Sequence, residues 1–195
     1  MKHVEMPNDF DFGDLEDLDI QYFDQVSIGD TTQDVGAVLL IFEALLWRLK
    51  KAMPHITEAY ITSDNAICYQ SGQWLFGMHL VASKNGICLI SFVHTETQDR
   101  KGLIDAHFAM LMRLIWEYVN SGYDCSTEQQ LVAALRSSGL LTNTAVELIF
   151  HDHSKLEEFF KQNKAVIEVC NSAGRYNEVL FFNDYMEVYA YSGCS

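Results

Sequence analysis

The chain has 195 residues, 49% of them hydrophobic and 12% aromatic, and a formal net charge of −14. That length suits one ordinary domain with a sizeable core. The charge argues against a free-standing nucleic-acid module, because neutralising phosphates with Lys and Arg supplies most of the affinity of such modules.

In chain order, residues 1–30 carry Glu5, Asp9, Asp11, Asp14, Glu16, Asp17, Asp19, Asp24 and Asp30 against the single base Lys2. Residues 1–19 therefore read as a solvated, partly disordered acidic leader, and 20–195 as the folded region. Residues 20–28 read as a strand ended by Gly29 and Asp30. Thr31 or Thr32 can cap the next helix, since a hydroxyl there accepts an orphan amide N–H. Val35, Val38, Leu39, Phe42, Leu45, Leu46 and Leu49 recur at helical spacing, and Pro54 stops the helix.

Ile56 to Thr62 reads as a strand leading into Ser63-Asp64-Asn65, and 66–82 as helical. After Gly86, residues 87–93 form a nearly continuous apolar run, which suits a strand buried on both faces. A polar loop follows from His94 to Lys101. Residues 103–119 predict a helix with Leu103, Ile104, Phe108, Leu111, Met112, Ile115, Trp116 and Val119 on its buried side, closed by Gly122. Ser126-Thr127-Glu128 opens another helix with the stripe Leu131, Val132 and Leu135, ended by Gly139. A short strand at 145–150, a short helix at 154–162 and strands at 167–170, 178–182 and 186–191 complete the pattern, with the last two joined at Asn183-Asp184 as a hairpin. Strands alternating with helices imply an α/β sheet flanked by helices.

Trp47, Trp74 and Trp116 all fall on predicted helices and read as core residues. The five cysteines form no CxxC pair and no signal peptide precedes them, so a reduced intracellular compartment is expected, with Cys68 and Cys88 as buried apolar residues. His151 and His153 are close in sequence, but without a cysteine pair they do not make a zinc motif. No run reaches the ~18 consecutive apolar residues of a membrane span.

Two segments could carry chemistry. Asp64 follows a predicted strand at the sheet edge where ligands of open α/β sheets gather, and a carboxylate there can hold a divalent metal. The same Ser-Asp-Asn sequence also suits a helix cap or an Asx-turn. The second segment, His94 to Gly102, leads into Asp105-Ala106-His107 and places Glu96, Asp99 and Asp105 after a buried strand. Two carboxylates so placed can hold a pair of Mg²⁺ ions for phosphoryl transfer. Alternatively the loop is solvated and Asp105 favours the helix dipole.

The strings SDNAICYQS (63–71), HTETQDRKGLIDAHFA (94–109) and TEQQLVAAL (127–135) resemble a group of transposase-derived proteins, themselves similar to DDE transposases of RNase H-like fold. The helix TTQDVGAVLLIFEALLWRLKKAMPHI (31–56) and the closing FFNDYMEVYAYSGCS (181–195) are similar to theirs too. The resemblance implies an RNase H-like mixed sheet flanked by helices, with a small C-terminal β-hairpin. It matches Asp64 to the second acid of the triad and Asp105 to the third, with Glu96 and Asp99 as rivals. Arg100 stands where the family's Gly-Lys-Gly-x-x-Asp pattern has its first glycine. The first acid belongs on strands for which little chain precedes residue 20. Asp9, Asp11 and Asp24 are weak substitutes for it, and the first strands are expected to be missing.

The resemblance therefore implies a catalytically inactive, truncated or domesticated domain in the nucleus. It would meet protein partners or other transposase-type subunits, bind DNA weakly or not at all by itself, and need no cofactor. The alternative is a transposase or nuclease that uses Mg²⁺ or Mn²⁺ held by Asp64 and Asp105. A third reading is an acidic binding protein with no transposon ancestry.

Overall fold

The computed structural model describes residues 20–29, 34–63, 66–94, 103–137, 139, 141–150, 153–171, 178–182 and 186–189. In chain order the elements are β1 (Tyr22–Ile28), α1 (Val35–Ala52), β2 (Glu58–Ser63), a 3₁₀ turn (Ile67–Tyr69), α2 (Gly72–Lys84), β3 (Cys88–His94), α3 (Leu103–Asn120), α4 (Glu128–Ser137), β4 (Thr144–Phe150), α5 (His153–Gln162), α6 (Lys164–Asn171), β5 (Glu178–Phe181) and β6 (Met186–Tyr189). Strands and helices alternate, as the periodicities predict, and they build two sheets.

The larger sheet is mixed, with strands in the order β2-β3-β5-β6. β2 and β3 run parallel, with α2 as the crossover between them, whereas β5 is antiparallel to β3 and to β6. The apolar run that forms β3 is interior to this sheet, and its Phe92 is fully buried. Val38, Leu39, Phe42 and Leu46 of α1 pack with Trp74, Leu75 and Met78 of α2 and with Phe92 and Val179 of the sheet. Each such side chain contributes roughly 1.5–3 kcal/mol on burial. Gly77 lets α1 and α2 approach closely, because a Cβ there would lie 2.5 Å from Leu39 Cδ1.

The smaller sheet pairs β1 with β4 in parallel, with Asp24 opposite Val146 and Gln25 opposite Glu147. Side-chain alternation gives it two different faces. On one, Val26 and Val146 meet Leu111 of α3 and Val132 and Leu135 of α4 in a second core. On the other, Arg48 of α1 reaches Glu147 at 3.3 Å. There the Gln25 amide, turned to satisfy both its groups, donates to the Ile41 carbonyl at 2.9 Å and accepts from the Leu45 N–H at 3.0 Å. So α1 serves both sheets.

Several expectations are corrected. The strands near 21–28, 56–62 and 87–93 do not share one sheet, since β1 pairs with β4 instead. The strand predicted to be central, β2, is an edge strand; β3 and β5 are interior. Residues 167–170 are helical rather than a strand. Their β-branched residues were outvoted by packing, as Ile167 is buried and α6 lies against α2. The cap of α1 is Asp34, whose Oδ1 accepts from the Ala37 N–H at 2.8 Å. Thr31 and Thr32 lie outside the described residues, as does the leader 1–19. Of the three tryptophans only Trp74 is core; Trp47 and Trp116 are exposed. Cys88 is exposed and Cys68 half-buried. No helix among the described residues is long and apolar enough to cross a membrane.

Candidate functional site

The carboxyl ends of β2 and β3 lie side by side because the strands are parallel and in register through Ser63 and His94. The Ser63 hydroxyl and His94 Nδ1 share a hydrogen bond of 3.1 Å. The His94 ring is buried and meets Phe92 edge-on, with centroids 4.7 Å apart. Nearby in sequence, Ser71 caps α2 by accepting from the Trp74 N–H at 3.1 Å. This is the sheet edge at which open α/β folds collect ligands. A hydroxyl beside an imidazole could in principle be an activated nucleophile. Burial of His94 against Phe92 makes it instead a clasp that fixes the two strand ends.

Asp64 directly follows Ser63 in sequence, and Glu96 and Asp99 follow His94. All three lie outside the described residues, together with Asn65 and Arg100. The separation of Asp64 from Asp105 is outside them for the same reason. Asp105 itself is described. It sits in the first turn of α3, where a carboxylate favours the positive end of the helix dipole, and its side chain is exposed. Among the described residues, no three His, Cys, Asp or Glu side chains gather in a group able to hold a metal.

A different pair is built with care. His107 of α3 is 6% exposed, and its Nε2 stands 3.0 Å from both oxygens of Asp24 on β1. The Tyr22 ring stacks on the imidazole with centroids 3.8 Å apart and the two planes nearly parallel. With Nε2 facing a carboxylate, that nitrogen carries the proton and donates it. Nδ1 is buried and has no hydrogen-bond partner among the described residues. This pair ties α3 to the smaller sheet, and it occupies the carboxylate considered as a substitute first acid. Sequence reading had no signal for it, since the partners stand 83 positions apart.

Two arginines also meet beside a shallow cleft of about 290 Å³ that Leu135, Leu141 and Thr144 help to line. Arg48 pairs with Glu147 through Nη1, and Arg136 donates to the Val146 carbonyl through Nε and Nη2.

The most conspicuous surface is α3. The predicted buried side was Leu103, Ile104, Phe108, Leu111, Met112, Ile115, Trp116 and Val119, yet the residues that are buried are His107, Leu111 and Leu114. Ile104, Phe108, Met112 and Trp116 are 70%, 62%, 56% and 67% exposed, and Leu103 and Val119 are also in water. At 100° per residue Ile104, Phe108, Met112, Trp116 and Val119 occupy one arc beside the one that packs on α4 and Leu103 lies beyond its other side, so α3 is apolar around more than half its circumference. Compared with family models, curated proteins and solved structures, the chain matches none.

Proposed function

We propose that this chain is a catalytically silent domain, related to the RNase H-like transposases, that works through contacts with proteins. The observation that carries the reading is the bare apolar face of α3. Monomers rarely expose such a patch without a binding role. Two further features agree with it. A net charge of −14 opposes approach to DNA phosphates. The Asp24 carboxylate is held by His107 through both oxygens, so a metal would have to displace an imidazole to use it. The ancestry rests on the sequence likenesses at 63–71, 94–109 and 127–135 alone; the fold it implies would set β1 in one sheet with β2 and β3, and the pairing of β1 with β4 counts against it.

A metal-dependent transposase or nuclease is the second reading. It is favoured by the Ser63–His94 pair, which brings together the two strand ends that lead to Asp64 and to Glu96 and Asp99. In that reading Asp64 and Asp105 would hold Mg²⁺ or Mn²⁺. The exposed Asp105 alone does not fit a two-metal centre, which needs bridging carboxylates in fixed positions.

The test incubates the purified protein with Mg²⁺ or Mn²⁺ and supercoiled or hairpin-ended DNA, beside an Asp64→Ala control. The expected result is intact DNA. Nicking by the parent that disappears in Asp64→Ala would overturn the proposal and establish the second reading.

A further inference from the structure

We infer that the outward face of α3 is a self-association surface, through which two copies of this chain pair by packing their α3 helices antiparallel about a two-fold axis between Phe108 and Met112. The inference rests on the interaction reading above and names the partner. It begins with the spacing. Ile104, Phe108, Met112 and Trp116 stand four residues apart and form one continuous ridge on a helix of 18 residues, about 27 Å long. A ridge of this spacing packs into the matching groove of a second such helix, which is the commonest way helices meet. The ridge is self-complementary under a two-fold, because Ile104 then faces Trp116 and Phe108 faces Met112 of the other copy. Such an isologous contact closes at two chains.

Area and charge both select a second copy. An exposed aromatic side chain presents up to about 150–250 Å². The exposed fractions of Ile104, Phe108, Met112, Trp116 and Val119 thus leave on the order of 500 Å² of this face in water, within the range of the largest patches that monomers carry. Two such faces together bury on the order of 1,000 Å², the least that a specific interface needs. Charge points the same way. The chain as a whole carries −14, yet the charged side chains of α3 besides the buried His107 are Asp105, Arg113 and Glu117 alone. Arg113 and Glu117 are already paired with each other at 2.8 Å. Two copies repel least where this near-neutral helix meets itself. A basic partner would find little on the ridge to attract it.

The test measures molar mass by sedimentation or light scattering over roughly a hundredfold range of protein concentration. The expected result is a rise from one chain to two that shifts to lower concentration as salt screens the self-repulsion. Phe108→Glu and Met112→Lys should each weaken association at least tenfold, while far-UV circular dichroism and thermal melting of the dilute chains match the parent. Mixing these two variants should restore pairing, because the two-fold sets the introduced carboxylate of one copy against the introduced ammonium of the other. Trp47→Glu, a similarly exposed position on α1, should leave the dimer intact. A chain that stays monomeric throughout, or a dimer indifferent to both α3 variants, overturns the inference; so does a mixture of the two that fails to pair. The DNA test above is independent of each of these outcomes, so failure of the inference leaves the silent reading standing, and nicking overturns that reading whatever the oligomeric state.

Discussion

His107 and Asp24 join the middle of the chain to its first strand, with the imidazole Nε2 3.0 Å from each carboxylate oxygen and the Tyr22 ring laid flat on its other side. A hydrogen bond to a charged group contributes about 1.5–3 kcal/mol when its partner is not left stranded. His107→Ala should therefore lower unfolding free energy by about 2–3 kcal/mol, since it strips the bond and the stack at once. Asp24→Asn should cost less, because the amide oxygen still accepts from Nε2. Urea unfolding of the two variants checks the order, and equal losses would mean that the charge of Asp24, not the stack on Tyr22, holds the pair.

The two arcs of α3 should respond oppositely to truncation. Leu111→Ala removes a side chain shared with Val132, Leu135 and Val146 and should cost about 2–5 kcal/mol. Phe108→Ala, measured in dilute protein, should change stability by no more than about 0.5 kcal/mol. Denaturant titration at low concentration reads both. A large loss from Phe108→Ala in the monomer would place that ring in a core.

At Gly77 the α1–α2 contact leaves no room for a side chain. Gly77→Val should displace Leu39, itself 2% exposed, and cost about 1–3 kcal/mol through overpacking. The companion Leu39→Ala with Gly77→Val should recover part of that loss by vacating the space. Thermal melts of the single and double variants decide it.

The start of α4 should be acid-sensitive. Thr127 and Gln130 form a capping box: Thr127 Oγ1 accepts from the Gln130 N–H at 3.2 Å and Gln130 Oε1 from the Thr127 N–H at 3.0 Å. Asp124 joins it by accepting from the Ser126 hydroxyl at 2.6 Å and from Gln130 Nε2 at 3.4 Å. The Ser126 bond first, then the Gln130 bond, holds the Asp124 carboxyl below its ordinary value of 3.8. A depressed acid stabilises the fold fully above its unfolded value and loses that contribution as pH falls through the folded one. The helix start should accordingly stay intact at neutral pH and loosen only below about pH 3.8. Amide shifts of residues 125–130 followed by NMR should report this transition, and Ser126→Ala should move its midpoint upward.

Much of the architecture is legible in local pattern. The 3.6-residue recurrence from Val35 to Leu49 places α1, the nearly continuous apolar run before His94 places an interior strand, and the two short closing strands pair antiparallel as expected of a hairpin, whose turn at Asn183-Asp184 lies outside the described residues. Local pattern fails where neighbours distant in sequence decide. Ile167 and its β-branched neighbours have strand propensity, but α6 lies against α2 and Ile167 is buried as part of a helix. The candidate site was legible only as strand ends. That Ser63 and His94 meet is a matter of register between β2 and β3, and that Asp24 is claimed by His107 follows from the packing of α3 on the smaller sheet.

By itself the sequence determined the α/β alternation and the order of elements up to β4, because these depend on residues a few positions apart. Only the tertiary structure decided that β1 leaves its expected neighbours for β4, far along the chain, and that β2 stands at an edge. Strand pairing is settled by which distant surfaces bury most together, and no local period records that choice. The same holds for α3. Its sequence is apolar over more than half its circumference, and only the arrival of α4 and the smaller sheet on one arc left the other, with Phe108 and Trp116, facing outward.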